Sequence, residues 1–226
     1  RVLFRSHVNL IDASDNVLSL TVAQYKALMA SGVLLSQGDV VTLADTGNNL
    51  KNLTVSEIGA LAANGVDKID ATDNALSLTV AQYSALIATT TTLAAADVVT
   101  IADTASNIAG LSAIQIAALS GNGVDTVDAT NATLELTKAQ ALAFGAVTFG
   151  STKPVSIVDS GVNIQSLSAS DLTNLSNSGL DQIDSSTNAI TLTAAQAAAI
   201  VNGNIVIASG DVVTLSDTAT NIQGLT

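Results

Sequence analysis

The chain has 226 residues, 48% apolar but only 2% aromatic, and its 19 acidic against 7 basic residues leave a net charge of −12. That balance excludes the Lys/Arg-driven counterion displacement on which nucleic-acid binding depends, and the absence of Cys excludes disulfides, thiolate metal sites and cysteine nucleophiles. One His and no Trp leave little for acid–base chemistry at neutral pH, and no run approaches the roughly 18 apolar residues of a membrane helix.

The first six residues stand apart. Arg1-Val2-Leu3-Phe4-Arg5-Ser6 holds two of the seven basic residues and one of the three Phe. It equals the translation of CGT-GTG-CTC-TTC-CGA-TCT, which resembles the end of a short-read sequencing adapter, and it is expected to be an artefact of assembly outside the fold. On that reading residues 7–226 are one repeat array, an internal fragment of a longer reading frame truncated at both ends. His7 has no repeated counterpart and is not expected to be catalytic.

From Asp12 onward one motif recurs: Asp, four residues later Asn, four later Leu, then Thr or Ser. It reads Asp12-Asn16-Leu20-Thr21, Asp45-Asn49-Leu53-Thr54, Asp70-Asn74-Leu78-Thr79 and Asp103-Asn107-Leu111-Ser112. It continues as Asp159-Asn163-Leu167-Ser168, Asp184-Asn188-Leu192-Thr193 and Asp217-Asn221-Leu225-Thr226; the copy at Asp128 departs only at the Asn, where Ala132 follows Asn131. Successive anchor Asp residues are 33, 25, 33, 25, 31, 25 and 33 apart, so short and long units alternate in pairs of about 58. Before each anchor lies a short β-branched segment, such as Val66-Asp67-Lys68-Ile69 or Val98-Val99-Thr100-Ile101, suited to a buried strand. Ala75–Leu78 adds a second extended piece, and the longer units carry extra residues such as Val33–Asp39 and Leu93–Asp97.

Each motif-final Thr or Ser predicts a helix start, because Gln24, Glu57, Gln82, Gln115, Gln140, Asp171 or Gln196 follows three residues on, the spacing of a capping box. The preceding Leu and the residue one turn inside, such as Tyr25, Ile58 or Tyr83, form a hydrophobic staple. The helices are expected near 22–31, 55–64, 80–89, 113–122, 138–145, 169–178 and 194–202, each burying the residue seven after its cap. Gly32, Gly65, Gly123, Gly179 and Gly203 read as left-handed C-caps. Strand, turn and helix at this period predict an α/β repeat solenoid, with a compact doubly wound sheet as the competing topology. Thr226 would cap an eighth helix, and open apolar end coils would favour end-to-end association.

In the short units, Val66-x-x-Ile69-x-Ala71-x-x-Asn74-x-Leu76 resembles the leucine-rich repeat consensus, while the long units break it by one position. Val99-Thr100-Ile101-Ala102-Asp103-Thr104 and Ala117-Ala118-Leu119 resemble repeat tracts of large bacterial adhesins and S-layer-like surface proteins. That resemblance, over residues 7–226, implies a cell-surface or secreted chain, often associated with calcium.

The Asp rows carry the sharpest chemistry. Asp67, Asp70 and Asp73, with Asp12 and Asp15 repeating part of the pattern, would stack at about 4.8 Å intervals and offer the hard oxygen ligands Ca²⁺ takes. The favoured alternative is that Asp caps its own turn, with Asn16, Asn49, Asn74, Asn107, Asn163, Asn188 and Asn221 forming an internal hydrogen-bond ladder. Asn131 and Thr187 in place of Asp73, and Lys153 in place of Asp39, Asp97 and Asp211, favour capping. The expectation is a non-enzymatic spacer or adhesive stalk of a large extracellular bacterial protein, without membrane insertion, its partners being adjacent repeats of the same longer chain and a surface ligand the sequence does not identify. A Ca²⁺-dependent adhesion module is the alternative.

Overall fold

The computed structural model describes residues 8–225. The adapter-like Arg1–Ser6, His7 and the cap expected at Thr226 lie outside them. The chain divides into two compact units, Arg1–Ile101 and Ala102–Thr226, each built of repeated strand–helix segments on parallel sheets.

The first unit runs β1 (Leu10–Ile11), β2 (Val17–Leu20), α1 (Val22–Ser31), β3 (Leu34–Leu35), β4 (Val40–Asp45), α2 (Gly47–Leu50), α3 (Val55–Ala60), β5 (Lys68–Ala71), β6 (Ala75–Leu78), α4 (Val80–Ile87), β7 (Thr92–Leu93) and β8 (Val98–Asp103), within which the boundary falls. Its main sheet has the order β2–β4–β5–β7, with Leu20 beside Leu43 and Leu43 beside Ile69; β1 pairs with β3 and β6 with β8. Leu43, Ile69 and Leu76 from the strands and Tyr25, Ile58, Leu61 and Tyr83 from the helical segments are all buried in its core.

The second unit continues with α5 (Ala105–Ala109), α6 (Ala113–Ala117), β9 (Thr126–Ala129), β10 (Leu134–Leu136), α7 (Lys138–Ala143), β11 (Thr148–Phe149), β12 (Val155–Asp159), α8 (Gly161–Gln165), α9 (Ala169–Asn177), β13 (Gln182–Ser185), β14 (Ala189–Leu192), α10 (Ala194–Asn202), β15 (Val206–Ile207), β16 (Val212–Leu215) and α11 (Ala219–Gln223). β10–β12–β13–β15 form one parallel sheet, while β9 pairs with β11 and β14 with β16. Phe144 and Phe149 meet edge to face at 4.9 Å in its core.

All seven expected helices start at their Thr or Ser, and every one carries a complete capping box. The residue seven after each cap is buried, from Leu28 to Ile200. Two helices tighten early: α3 and α6 finish as 3₁₀ turns at Ala62–Asn64 and Ser120–Asn122. Four further short helices, α2, α5, α8 and α11, follow the anchor Asp of every long unit, capped by Thr46, Thr104, Ser160 and Thr218. One C-cap differs from expectation. Gly203 is not left-handed, and Asn204 takes that conformation at φ 54°. Gly203 is needed for space instead, since a Cβ there would lie 2.6 Å from the Ser176 hydroxyl.

Candidate functional site

The acidic positions act between neighbouring segments. Val41 N–H donates to Asp67 at 2.7 Å and Val155 N–H to Asp181 at 2.9 Å. Ala13, Ala71 and Ser185 N–H groups donate to Asp39, Asp97 and Asp211, each at 2.9 Å. Gly47 N–H donates to Asp73 at 2.8 Å, and in the equivalent places Ala105 and Gly161 donate to Asn131 and Thr187. In all these pairs the acceptor lies 26 residues after the donor. Replacement of Asp73 by Asn and Thr therefore keeps what the position supplies, an acceptor oxygen. Where Lys153 stands in place of an Asp, Asp128 turns instead to the backbone and hydroxyl of Thr152.

A further set binds the start of an earlier helix. Asp45 accepts the N–H of Val22, the first residue of α1, at 3.0 Å, and Asp159 and Asp217 do the same for Lys138 and Ala194. Carboxylate at a helix N-terminus satisfies an orphan donor and opposes the helix dipole. On their second oxygens these Asp residues hold the Asn four residues on: Asn49, Asn163 and Asn221 donate at 2.7 Å each, and Asn107 donates to Asp103 at 2.8 Å. The Asn49 amide, with the Thr46 and Val22 N–H groups, holds the Asp45 carboxyl below the usual range. Asn221, Thr218 and Ala194 do likewise for Asp217. At Asp159 partial burial pushes upward, but Asn163, the two backbone donors and the Lys138 charge prevail, and the pKa is lowered.

The asparagines do not form an internal ladder: all seven are exposed. Asn49, Asn107, Asn163 and Asn221 are the carboxylate partners just described. Asn16, Asn74 and Asn188 are left-handed, at φ 57°, 54° and 52°, a conformation Asn tolerates better than most L-residues. Each turns the chain between two strands and presents its carbonyl to Val40, Val98 or Val212 N–H. Ala132, at the same place in the departing copy, is not left-handed. Two other positions change with it. Gly47 and Gly161 have no room for a Cβ, which would lie 1.7 and 2.0 Å from the carbonyls of Ala75 and Ala189, the residues after left-handed Asn74 and Asn188. Opposite Ala132 the corresponding residue is Ala105. The donor position Val98 or Val212 becomes Pro154, which has no N–H to give. Left-handed Asn74 and Asn188 thus each occur with Gly in the preceding segment and a free N–H in the following one, and Ala132 occurs with neither.

Of the residues considered for Ca²⁺, the carboxylates of Asp67 and Asp73 are engaged with backbone, while those of Asp12, Asp15 and Asp70 make no hydrogen bond or ion pair with other described residues. Among the described residues no group of three or more acidic or His side chains converges to hold a metal. One acceptor is left over in each copy of another position: the second oxygens of Asp39, Asp97 and Asp211 are buried without a partner. Burial, with the Asp70 and Asp73 charges, raises the Asp97 pKa against the Ala71 hydrogen bond and the Lys68 charge.

Gln82 completes the capping box of α4, as its spacing from Thr79 predicts. Its Nε2 also donates to the Lys51 and Leu53 carbonyls at 2.8 and 2.7 Å, closing the end of the preceding segment. Gln140 bonds Ala109 and Leu111, and Gln196 bonds Gln165 and Leu167 in the same way. The signal was available: this position is Gln in all four short units, at 24, 82, 140 and 196, but Glu57, Gln115 and Asp171 in the long ones. Ser and Thr hydroxyls at the seven helix starts are occupied as caps. Among the described residues no helix is long and apolar enough to cross a membrane. No family model, curated protein or solved structure matches the chain.

Proposed function

We propose that the chain is a non-enzymatic α/β solenoid, with units of 25 and 33 residues stacking in pairs, that serves as a spacer or adhesive stalk within a large extracellular bacterial protein. The observation that carries this reading is where the carboxylates go. Asp39, Asp67, Asp73, Asp97, Asp181 and Asp211 accept backbone N–H groups of the preceding segment, so these acidic positions join neighbours. The acidic, cysteine-free, aromatic-poor composition and the resemblance to surface-protein repeat tracts support placement outside the cell. Thermal unfolding in millimolar Ca²⁺ and in chelator tests the structural role: the midpoint is expected not to change. Recovery of the flanking reading frame tests placement, where a secretion signal or surface anchor agrees and a fused cytosolic enzyme contradicts it.

The second reading, a Ca²⁺-dependent adhesion module, is favoured by one observation, the buried unpartnered oxygen of Asp97 beside the Asp70 and Asp73 charges. It requires a melting point that falls by more than about 10 °C in chelator, because a ligand bound only by the folded state stabilises by mass action. It also requires that Asp97→Asn abolish that response.

A further inference from the structure

One groove of the helical layer recurs in both units, with its charges matched in the first and unmatched in the second. In the first unit it lies between α1 and the segment of α3, lined by Tyr25, Lys26, Met29, Glu57, Ala60 and Asn64. Lys26 Nζ meets Glu57 Oε1 there at 2.9 Å, and the Asn64 amide donates to the Tyr25 hydroxyl at 2.8 Å. Glu57 divides its carboxylate between two tasks. Oε2 accepts the Thr54 N–H and hydroxyl of the capping box, and Oε1 holds the ammonium.

Counted from the caps Thr137 and Ser168, the matching residues of the second unit are Ala141, Leu142, Gly145, Asp171, Asn174 and Ser178. They line one cavity between α7 and α9, about 140 Å³ against about 280 Å³ for the groove of the first unit. It is narrower because Phe144 and Phe149 stand where Leu28 and Leu35 do, although Ala141 replaces Tyr25. Asp171 divides its carboxylate as Glu57 does. Oδ2 accepts the Ser168 N–H and hydroxyl at 2.9 and 2.8 Å, but Oδ1 has no partner among the described residues. Leu142 stands in place of Lys26, and no Lys or Arg lines the cavity. In the intervening copy of the sequence both positions are neutral, Ser84 and Gln115. Only the copy at Asp171 keeps the carboxylate without the lysine.

We propose that this cavity binds a primary ammonium on an unbranched alkyl chain, carried by a free alkylamine or by a lysine side chain of another protein. Lys26 in the first unit is the template: a compact charge on a flexible four-carbon stem, seated against the spare oxygen of a capping-box carboxylate. In the second unit the ammonium donates to Asp171 Oδ1. The Asn174 and Ser178 side chains, which have no hydrogen-bond partner among the described residues, supply further acceptors on the same rim. The methylenes lie against Leu142, Phe149 and Leu175, and the narrow cavity favours a chain over a ring. A net charge of −12 draws cations toward the site and repels anions.

NMR titration of the 226-residue chain with butylammonium and with Nα-acetyl-lysine N-methylamide tests the site. Saturable shifts centred on Asp171, Asn174 and Ser178 are expected, with a Kd of about 1 mM, since a half-exposed ion pair adds little to the covered methylenes. Tighter binding of the lysine derivative assigns the site to a partner's lysine, and tighter binding of butylammonium to a free amine; both uphold it. 1-Butanol carries the chain without the charge and should bind about fivefold more weakly. Asp171→Asn keeps an oxygen for the capping box, and should weaken both amines about fivefold while leaving 1-butanol unchanged. Leu142→Lys rebuilds the pair of the first unit and should abolish amine binding. Leu142 is 38% exposed, so the longer side chain does not open the core. No saturable shift up to about 50 mM butylammonium, far above the affinity expected, would overturn the proposal. So would 1-butanol binding as tightly as the amine, or amine binding indifferent to both Asp171→Asn and Leu142→Lys.

Discussion

Gly161→Ala isolates the coupling between left-handed Asn and Gly. The added Cβ would lie 2.0 Å from the Ala189 carbonyl, against a closest tolerated approach near 3.0 Å, so backbone must retreat by about 1 Å. That retreat stretches the Gly161 N–H bond to Thr187 and the Val212 N–H bond to Asn188. Overpacking of this kind costs roughly 1–3 kcal/mol and each weakened hydrogen bond about 1 kcal/mol; the better helix propensity of Ala returns less than about 1 kcal/mol. The expected net is about 3 kcal/mol, read by urea unfolding followed by circular dichroism. Asn188→Ala should remove the left-handed turn, as Ala132 does opposite Ala105, and rescue the first substitution. The double variant should be more stable than the sum of the singles predicts by at least about 1 kcal/mol. Asn188→Gly keeps the left-handed turn and should give no rescue. Additivity within about 0.5 kcal/mol for Asn188→Ala, or equal rescue by Asn188→Gly, would refute the coupling.

Gln82→Glu replaces two donated bonds by carboxylate facing carbonyls and should cost about 2–3 kcal/mol, while Gln115→Glu, exposed in a long unit, should stay within about 0.5 kcal/mol; parallel urea melts compare them. Asp45, Asp159 and Asp217 have lowered folded pKa values, so their stabilisation is fully present above the unfolded carboxyl pKa of about 3.9 and is lost as pH falls through the folded values. Asn163→Ala should therefore be destabilised at pH 7 and converge on wild type in acid, as unfolding midpoints across that range would show. Asp97 has the opposite sign: its raised pKa makes its contribution greatest below the unfolded value and lost as pH rises through the folded one. Asp97→Asn should match or exceed wild-type stability at pH 7, with the advantage shrinking in acid in the same melts.

Much of the helical layer was legible because its signals are local. A Thr or Ser with an acceptor three residues later and Leu before it specifies a start wherever it occurs, and seven of seven starts follow that rule. The short helices after Asp45, Asp103, Asp159 and Asp217 escaped because the same Asp-to-Asn spacing has two outcomes. Thr46, Thr104, Ser160 and Thr218 follow the Asp at once and can cap, whereas Ala13, Ala71 and Ser185 lie in the equivalent place of the short units and extend to left-handed Asn. Ser185 shows that residue type alone does not decide it. Its N–H is held by Asp211 from 26 residues away, and its buried hydroxyl bonds Thr187 and the Ala189 carbonyl. The carboxylate roles were assigned to local turns for the same reason: the amides they bind are distant in sequence and adjacent only after segments pair. Gly203 reads as a C-cap by position, yet close contact with Ser176 sets its role.

If Asp67, Asp97, Asp181 and Asp211 hold backbone amides of the preceding segment, they need no cation to do so. Amide hydrogen exchange at Val41, Ala71, Val155 and Ser185, followed by NMR in chelator and in millimolar Ca²⁺, tests it most directly. Protection at all four in chelator, unchanged by Ca²⁺ and lost at Val41 in Asp67→Ala while Val155 stays protected, is the predicted result. Free exchange of these amides in chelator, with protection appearing only when Ca²⁺ is added, would contradict it.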